Sequence, residues 1–455
     1  MKTNKKSALI IATVSSFISA FMGSSINIAL PDIEKTFSMD ALTLSWVATA
    51  YLLTAAVFLV PFGRLADLYG RKKIYTFGIS VFTLSSALSA LAFSSESLII
   101  FRVVQGIGSA MIFSTSMAIL SSVFTDGDRG RAFGISVAAT YLGLSMGPFL
   151  GGILTNYLGW RSIFWVNVPA GLVLIYLVLK LLKGEWAEAK GEKFDIWGSI
   201  ILSLSLIALM IGMSKLPDSS GYILLIFGIL GIVLFVNIQN RIRFPLIDLK
   251  LFSNNRVFAL SNLAAFINYS ATFAVTFLLS LYLQYVKGLE AQQAGLILVS
   301  QPIVMAIFSP LAGRVSDKTE PRLVASLGML IVSLGLGLLS FVSPETSLYA
   351  IVIYLVILGF GFALFSSPNT NAVMSSVEKK SYGIASSILG TMRITGQMFS
   401  MGIAMLIFSL VMGKVKITPE VYLSFNHSMQ IIFGIFTILC VVGIFASYSR
   451  GKVHK

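Results

Sequence analysis

Charge is scarce in this sequence. Asp, Glu, Lys and Arg make up 11% of it, where a soluble domain has roughly 25%. That deficit excludes a chain solvated mainly by water. Cysteine is almost missing: Cys440 stands alone inside an apolar run, which excludes an intramolecular disulfide and leaves a thiol metal site short of ligands. Histidine occurs twice, as His427 and His454. No H-E-x-x-H, G-x-S-x-G or G-x-x-x-x-G-K-[ST] string is present, so metalloprotease, hydrolase and direct ATP chemistry find no support. Neither enzymatic activity, a cofactor nor a metal is expected. Acids are outnumbered by bases, 19 to 33, for a net charge of +14. Such an excess can mark a nucleic-acid binder, but here the bases sit in short loops between apolar runs, so nucleic acid is not an expected partner.

What is present is apolar. Hydrophobic residues make up 56% of the chain, and mean hydropathy is +0.87. A spanning helix needs about twenty such residues. Fourteen candidate spans can be drawn. Six lie at 8–30, 42–66, 74–93, 98–124, 131–157 and 161–182, two at 196–215 and 221–239, and six at 257–286, 291–313, 323–342, 347–371, 382–411 and 427–449. None alternates with the period of a barrel strand, so the fold class is an all-α integral membrane protein. Lys2, Lys5 and Lys6 precede the first span as in a signal peptide, but its length and the spans behind it point to an uncleaved first helix.

Loop charge sets the expected orientation. With the N-terminus inside, 25 of the Lys and Arg residues fall on inner loops and tails and 6 on outer loops. Both termini are therefore expected in the cytoplasm, in a multi-pass protein of the cytoplasmic membrane. The polar segment from Lys183 to Asp195 and a second near Asn240–Arg256 bracket the seventh and eighth spans. The expected domains are a six-helix bundle at 1–183, an inserted two-helix linker at 184–250, and a second six-helix bundle at 251–455.

The halves repeat. Gly63, Arg64 and Asp67 lie in G-R-L-A-D, and Gly313, Arg314 and Asp317 lie in G-R-V-S-D, 250 residues later; each follows a proline, Pro61 or Pro310. Parallel repeats of this kind mark transporters with a central binding site. The first copy continues as G-R-L-A-D-L-Y-G-R-K-K. There Gly63 and Gly70 permit close approach and a tight turn, and Asp67 and Arg71 can pair with each other or with Arg129 and Arg131 of the next inner loop. A purely topological role as a positive-inside loop is the alternative.

Three further segments stand out. In the fourth span, R-V-V-Q-G-I-G places Arg102 and Gln105 on one face with Ser109. An arginine within a span marks a functional position by default, unless it snorkels to the interface. In the fifth, G-L-S-M-G-P-F-L-G-G gives Gly143, Gly147 and Gly151 small-xxx-small packing steps, followed by Gly152, with Pro148 bending the helix. In the thirteenth, G-I-A-S-S-I-L-G-T-M-R-I-T-G-Q carries Arg393, whose partner could be a carbonyl, an anionic solute or cavity water, and Gln397.

Taken together with G-W-R-S-I-F-W-V-N-V-P at 159–169, these strings resemble, across nearly the whole chain, the fourteen-spanner drug:proton antiporter branch of the major facilitator superfamily. The resemblance implies two six-helix bundles with two inserted linker helices. It also implies a cytoplasmic latch at Gly63–Arg71, a proton-linked role for Arg102, an antiporter motif at Gly143–Gly152, and export of small amphiphilic molecules by alternating access. One position departs. The branch opens with Leu-Asp-x-Thr before Asn and Ala-Leu-Pro, whereas this chain reads F-M-G-S-S-I-N-I-A-L-P, with Met22 at the aspartate position.

None of the nineteen acids falls near the middle of a span. Arg102 and Arg393 are the deep charges expected, which favours anionic, zwitterionic or neutral solutes over lipophilic cations. The candidate pocket comprises Asn27, Arg102, Gln105, Asn268, Tyr269, Thr272, Arg393 and Gln397. The expected partners are a small-molecule substrate, the bilayer and protons, with a monomeric chain. Export of an endogenous metabolite or organic anion, or facilitation without proton coupling, is the alternative.

Overall fold

The computed structural model describes residues 5–124, 129–247, 249–378, 382–413 and 415–451, with side chains outside the description at 129–131, 133, 137, 317, 382 and 383. The side chains of Arg129, Arg131 and Asp317 thus lie outside the described residues.

The described chain is helical. In order come α1 (Lys5–Phe37), α2 (Ala41–Tyr69), α3 (Arg71–Ala90), α4 (Ser95–Val123), α5 (Arg129–Leu158), α6 (Arg161–Trp165), α7 (Asn167–Leu181), α8 (Ile196–Lys215) and α9 (Ser219–Gln239). After a short α10 (Lys250–Ser253) follow α11 (Arg256–Thr272), α12 (Ala274–Leu281), a π-helical turn at Tyr282–Val286, α13 (Ala291–Leu298), α14 (Ser300–Lys318), α15 (Pro321–Leu339), α16 (Leu348–Ser375), α17 (Tyr382–Val411) and α18 (Tyr422–Ser449).

Among the described residues, 13 helical stretches are long and apolar enough to cross a bilayer. Four of them are compound: α6 with α7, α11 with α12 and the π turn, α13 with α14, and a 3-10 turn at Pro419–Val421 with α18. The fourteenth helix, α3, has 20 residues but is more polar, being rich in serine and threonine. Those hydroxyls turn back onto their own helix: Thr83, Ser85 and Ser86 donate to the carbonyls four residues earlier at 2.7 Å. A polar side chain satisfied within its own helix is tolerated where water is missing.

Helix starts follow capping chemistry. Ser94 and Ser97 form a reciprocal capping box before α4. Asp195, Asn255 and Ser347 accept from the backbone N–H three residues on, before α8, α11 and α16. Each satisfies a donor that the first helical turn leaves open.

The chain forms two compact units. Unit 1 comprises residues 1–23, 46–144 and 160–250, and unit 2 comprises 24–45, 145–159 and 251–455. Inside each, one crossing is repeated. In unit 1, α3 meets α4 where Gly78 and Gly108 face one another: a Cβ on Gly108 would lie 2.6 Å from the Phe82 nitrogen and 2.9 Å from the Gly78 carbonyl oxygen. In unit 2, α15 meets α16 at Gly328 and Gly361, where a Cβ on Gly361 would lie 2.7 Å from the Val332 nitrogen and 2.8 Å from the Gly328 oxygen. Gly78 and Gly328, like Phe82 and Val332, are 250 residues apart, the offset of the latch strings. The duplication thus extends from sequence motif to backbone contact.

The linker helices α8 and α9 pack on one another through Gly212 against Gly221 and through Gly228 against Leu209. The outer side of α9 exposes Ile223, Phe227, Leu230 and Leu234, an apolar stripe that hydrocarbon can cover.

Candidate functional site

The corner between α2 and α3 is built around Arg71. Gly70 turns the chain with φ of +121°, a region that favours glycine. Asp67 lies in the last turn of α2 and Arg71 starts α3, and the two pair at 2.7 Å, as their spacing predicts. Arg71 also donates to the Ala118 carbonyl at 3.1 Å and to Ser122 at 2.5 Å on α4. It forms two further bonds, at 2.7 and 3.0 Å, to both carboxylate oxygens of Glu188. The fork of a guanidinium is thereby filled in the geometry that suits it. Arg64 pairs with Glu192. Sequence reasoning overlooked these glutamates; the available signal was the recurrence of acids at 185, 188 and 192 in an otherwise basic-side segment.

The second copy sits alike on its own fourth helix. A Cβ on Gly313 would meet Ser367 of α16 at 2.8 Å, as one on Gly63 would meet Ser114 of α4 at 3.6 Å. Beside it, Asn371 donates to Ser316 at 3.1 Å. Arg314 is exposed.

Arg102 is fully buried, which overturns the snorkelling alternative. Its Nε donates to the Val47 carbonyl at 2.9 Å and its Nη1 to Gln105 at 2.5 Å. Gln105 passes the chain on to Ser86 at 2.7 Å. The guanidinium lies 4.4 Å from the Tyr51 ring centre, and the Tyr51 hydroxyl meets Ser109 at 2.6 Å. Nη2 has no partner. Met22 is buried in the same unit, with the Asn167 amide at 3.3 Å from its sulfur. A thioether thus occupies the position where the branch has a titratable acid.

The α5 glycines pack on α1. A Cβ on Gly147 would lie 2.8 Å from the Ser25 nitrogen, one on Gly151 3.0 Å from the Ser25 oxygen, and one on Gly143 3.0 Å from the Phe21 nitrogen. Gly152, in the turn after Pro148, faces α13, where a Cβ would lie 2.7 Å from the Ala291 oxygen.

In unit 2, Pro31 leaves the Asn27 carbonyl without its helical donor, and Ser280 supplies one at 2.8 Å. Next to it, Gln284 donates to the Ile28 carbonyl at 3.0 Å and the Tyr285 hydroxyl to Glu34 at 3.3 Å. Both come from the π turn, a deviation often found at functional positions. The Asn27 side-chain oxygen has no partner. Asn268 is fully buried with neither amide atom paired. Thr272 donates to the Asn268 carbonyl at 2.8 Å, and Tyr269 meets Phe362 edge-on with ring centres 5.5 Å apart. Gln397 is buried and Arg393 half-buried on α17. The structure therefore brings Arg102 and Gln105 together in unit 1, and places Asn27, Asn268, Tyr269, Thr272, Arg393 and Gln397 in unit 2.

A further cation, Arg450, follows the last span directly and is fully buried within the protein. It donates to Asn369 at 2.7 Å, to Ser261 at 3.1 Å and to the Pro321 carbonyl at 3.0 Å, tying α16, α11 and α15. Burial, with Arg322 beside it, pushes its guanidinium down to about 10, still charged at neutral pH. Among the described residues, the buried charged side chains are Arg71, Arg102 and Arg450, all cations.

Comparison with known proteins agrees. The chain is 33% identical over 391 residues to the riboflavin transporter RibZ of Clostridioides difficile, covering 85% of this chain and 84% of that protein. It is 33% identical to the multidrug resistance protein Stp of Mycobacterium tuberculosis, covering 82% and 70%, and 31% identical to the cephamycin export protein CmcT of Amycolatopsis lactamdurans, covering 87% and 83%. In fold it matches the crystal structure of a bacterial homologue of the human lysosomal transporter Spinster, with a TM-score of 0.71 at 16% identity over 98% of this chain and 96% of that one. The sequence matches the Major Facilitator Superfamily over residues 12–393 and 261–454. Duplicated G-R-x-x-D strings, duplicated glycine crossings and this match lead to one conclusion: the chain is a multi-pass membrane transporter belonging to the major facilitator superfamily.

Proposed function

We propose that this transporter exports small amphiphilic molecules by alternating access, driven by the proton gradient, with both termini and the α2–α3 corner in the cytoplasm. The observation that carries the reading is Arg102, a fully buried cation within a span whose Nη2 has no partner, with no buried acid among the described residues. A solute-accepting interior of that kind disfavours lipophilic cations and suits anionic, zwitterionic or neutral cargo. The unpaired amide of Asn268 adds support, since an unsatisfied buried polar group costs about 1–3 kcal/mol and a polar group on a cargo molecule would offset it. Similar proteins are named for multidrug resistance, for cephamycin export and for riboflavin transport, which supports a small-molecule cargo.

The Met22 position favours a second reading, a facilitator or organic-anion exporter without a buried proton carrier. One experiment separates them. Efflux of anionic carboxyfluorescein and of cationic ethidium is followed side by side in a pump-deficient host, with and without a protonophore. The expected result is faster efflux of the anion alone, abolished by the protonophore. Efflux that survives the protonophore selects the facilitator, and no change for any compound of a broad panel removes the export reading.

A further inference from the structure

The segment joining α7 to α8 is docked on the α2–α3 corner by backbone and by charge. The first N–H groups of α3 and the last carbonyls of α2 have no partners within their own helices. The docked segment supplies them: the Arg71 N–H donates to the Trp186 carbonyl at 2.8 Å, the Lys72 N–H to Glu185 at 2.8 Å, and the Ala189 N–H to the Asp67 carbonyl at 3.0 Å. In return, Lys72 Nζ caps the end of α7 at the Leu182 carbonyl. The Glu185 carboxylate also occupies the space that a Cβ on Gly70 would take, at 2.5–2.8 Å, so a side chain there would push it aside. Glu188 and Glu192 then hold Arg71 and Arg64.

The two kinds of contact do different work. The caps fix where the segment docks. The ion pairs decide how firmly it stays, and they are weak: the carboxylates are 64% and 38% exposed, and exposed pairs contribute about 0–1 kcal/mol each. We propose that residues 183–193 form a releasable strap, fastened by charge, which sets how readily the α2–α3 corner loosens during the transport cycle. When docked, it fills the fork of Arg71 and holds Arg64; when released, it frees both cations to re-pair. The proposal rests on reading the corner as the cytoplasmic latch.

The test needs no cargo, so it stands apart from the export experiment. Hydrogen exchange is measured on the full-length protein in lipid nanodiscs at the Arg71 and Ala189 amides. In Glu188→Gln/Glu192→Gln both amides should exchange about fivefold faster, the loss expected for two exposed pairs. Raising salt to about 0.5 M should do the same to the unaltered protein, because such pairs are screened; this arm is independent of any variant's folding. The reversed pair Arg64→Glu/Glu192→Arg should recover protection that Arg64→Glu alone loses. Unchanged exchange in the double glutamine variant and under salt, or no recovery in the reversed pair, overturns the strap.

Discussion

Arg102 places a guanidinium among four neutral groups, Val47, Gln105, Tyr51 and Ser86 through Gln105. No carboxylate is among them, so its burial is sustained by hydrogen bonds and by the face of an aromatic ring. Removing it strands the Gln105 amide oxygen in the interior, while the Val47 carbonyl keeps the donor of its own helix. Arg102→Ala should therefore lower stability by about 1–3 kcal/mol, the cost of one unsatisfied buried group, read as an earlier thermal unfolding in detergent. Arg102→Lys keeps the charge but cannot bridge both acceptors with one fork. It should fold nearer to normal yet lose most transport; normal efflux in Arg102→Lys would show that Arg102 is a staple between helices and nothing more.

The helices meet at glycines, and the cost of filling those contacts depends on what lies opposite. At Gly108 and Gly361 the neighbour is backbone of α3 or α15, which cannot rotate aside. Gly108→Ala and Gly361→Ala should each destabilise by about 1–3 kcal/mol, the range for overpacking. Gly134 and Gly390 are helical glycines with nothing within 4 Å of an added Cβ. There alanine should be neutral or stabilising by up to about 1 kcal/mol, its advantage over glycine in helices. Thermal unfolding of the four variants side by side checks the contrast. Equal shifts at all four positions would mean that the repeated crossings do not limit stability.

Across the whole molecule, loop charge is the term that orients the chain. With 25 basic residues on one side and 6 on the other, the bias exceeds what a few substitutions could reverse. Alkaline phosphatase fused after Ser219 should be active, and the same enzyme fused after Lys190 inactive, with the opposite pattern for a cytoplasmic fluorescent reporter. The reverse result would move the α2–α3 corner to the outer face and remove its role as a cytoplasmic latch. The same bias explains why an acidic segment on the basic side is noteworthy. Glu185, Glu188 and Glu192 contribute little to topology, but Glu188 and Glu192 meet the cations Arg71 and Arg64, and Glu185 caps the Lys72 N–H.

The sequence by itself determined what depends on local periodicity and on spacing along one helix. Apolar run length produced the spans, because backbone in hydrocarbon must bond within its own segment. Four-residue spacing produced the Asp67–Arg71 pair, and three-residue spacing the Arg102–Gln105 pair. The 250-residue offset read from the repeated strings recurs in the paired crossings, at Gly78 and Gly328. The short breaks at Val166, Phe273 and Val299 were not legible, because continuous hydropathy passes over them. Tertiary structure alone decided which distant residues met. It carried Glu188 to Arg71 across 117 positions, buried Arg450 against Asn369 and Ser261, and set Met22 against Asn167. It also left Asn268 without a partner, and an unpaired amide has no signature in sequence. The reason is physical: a helix fixes its own neighbours within one turn, whereas contacts between helices depend on how several helices pack at once.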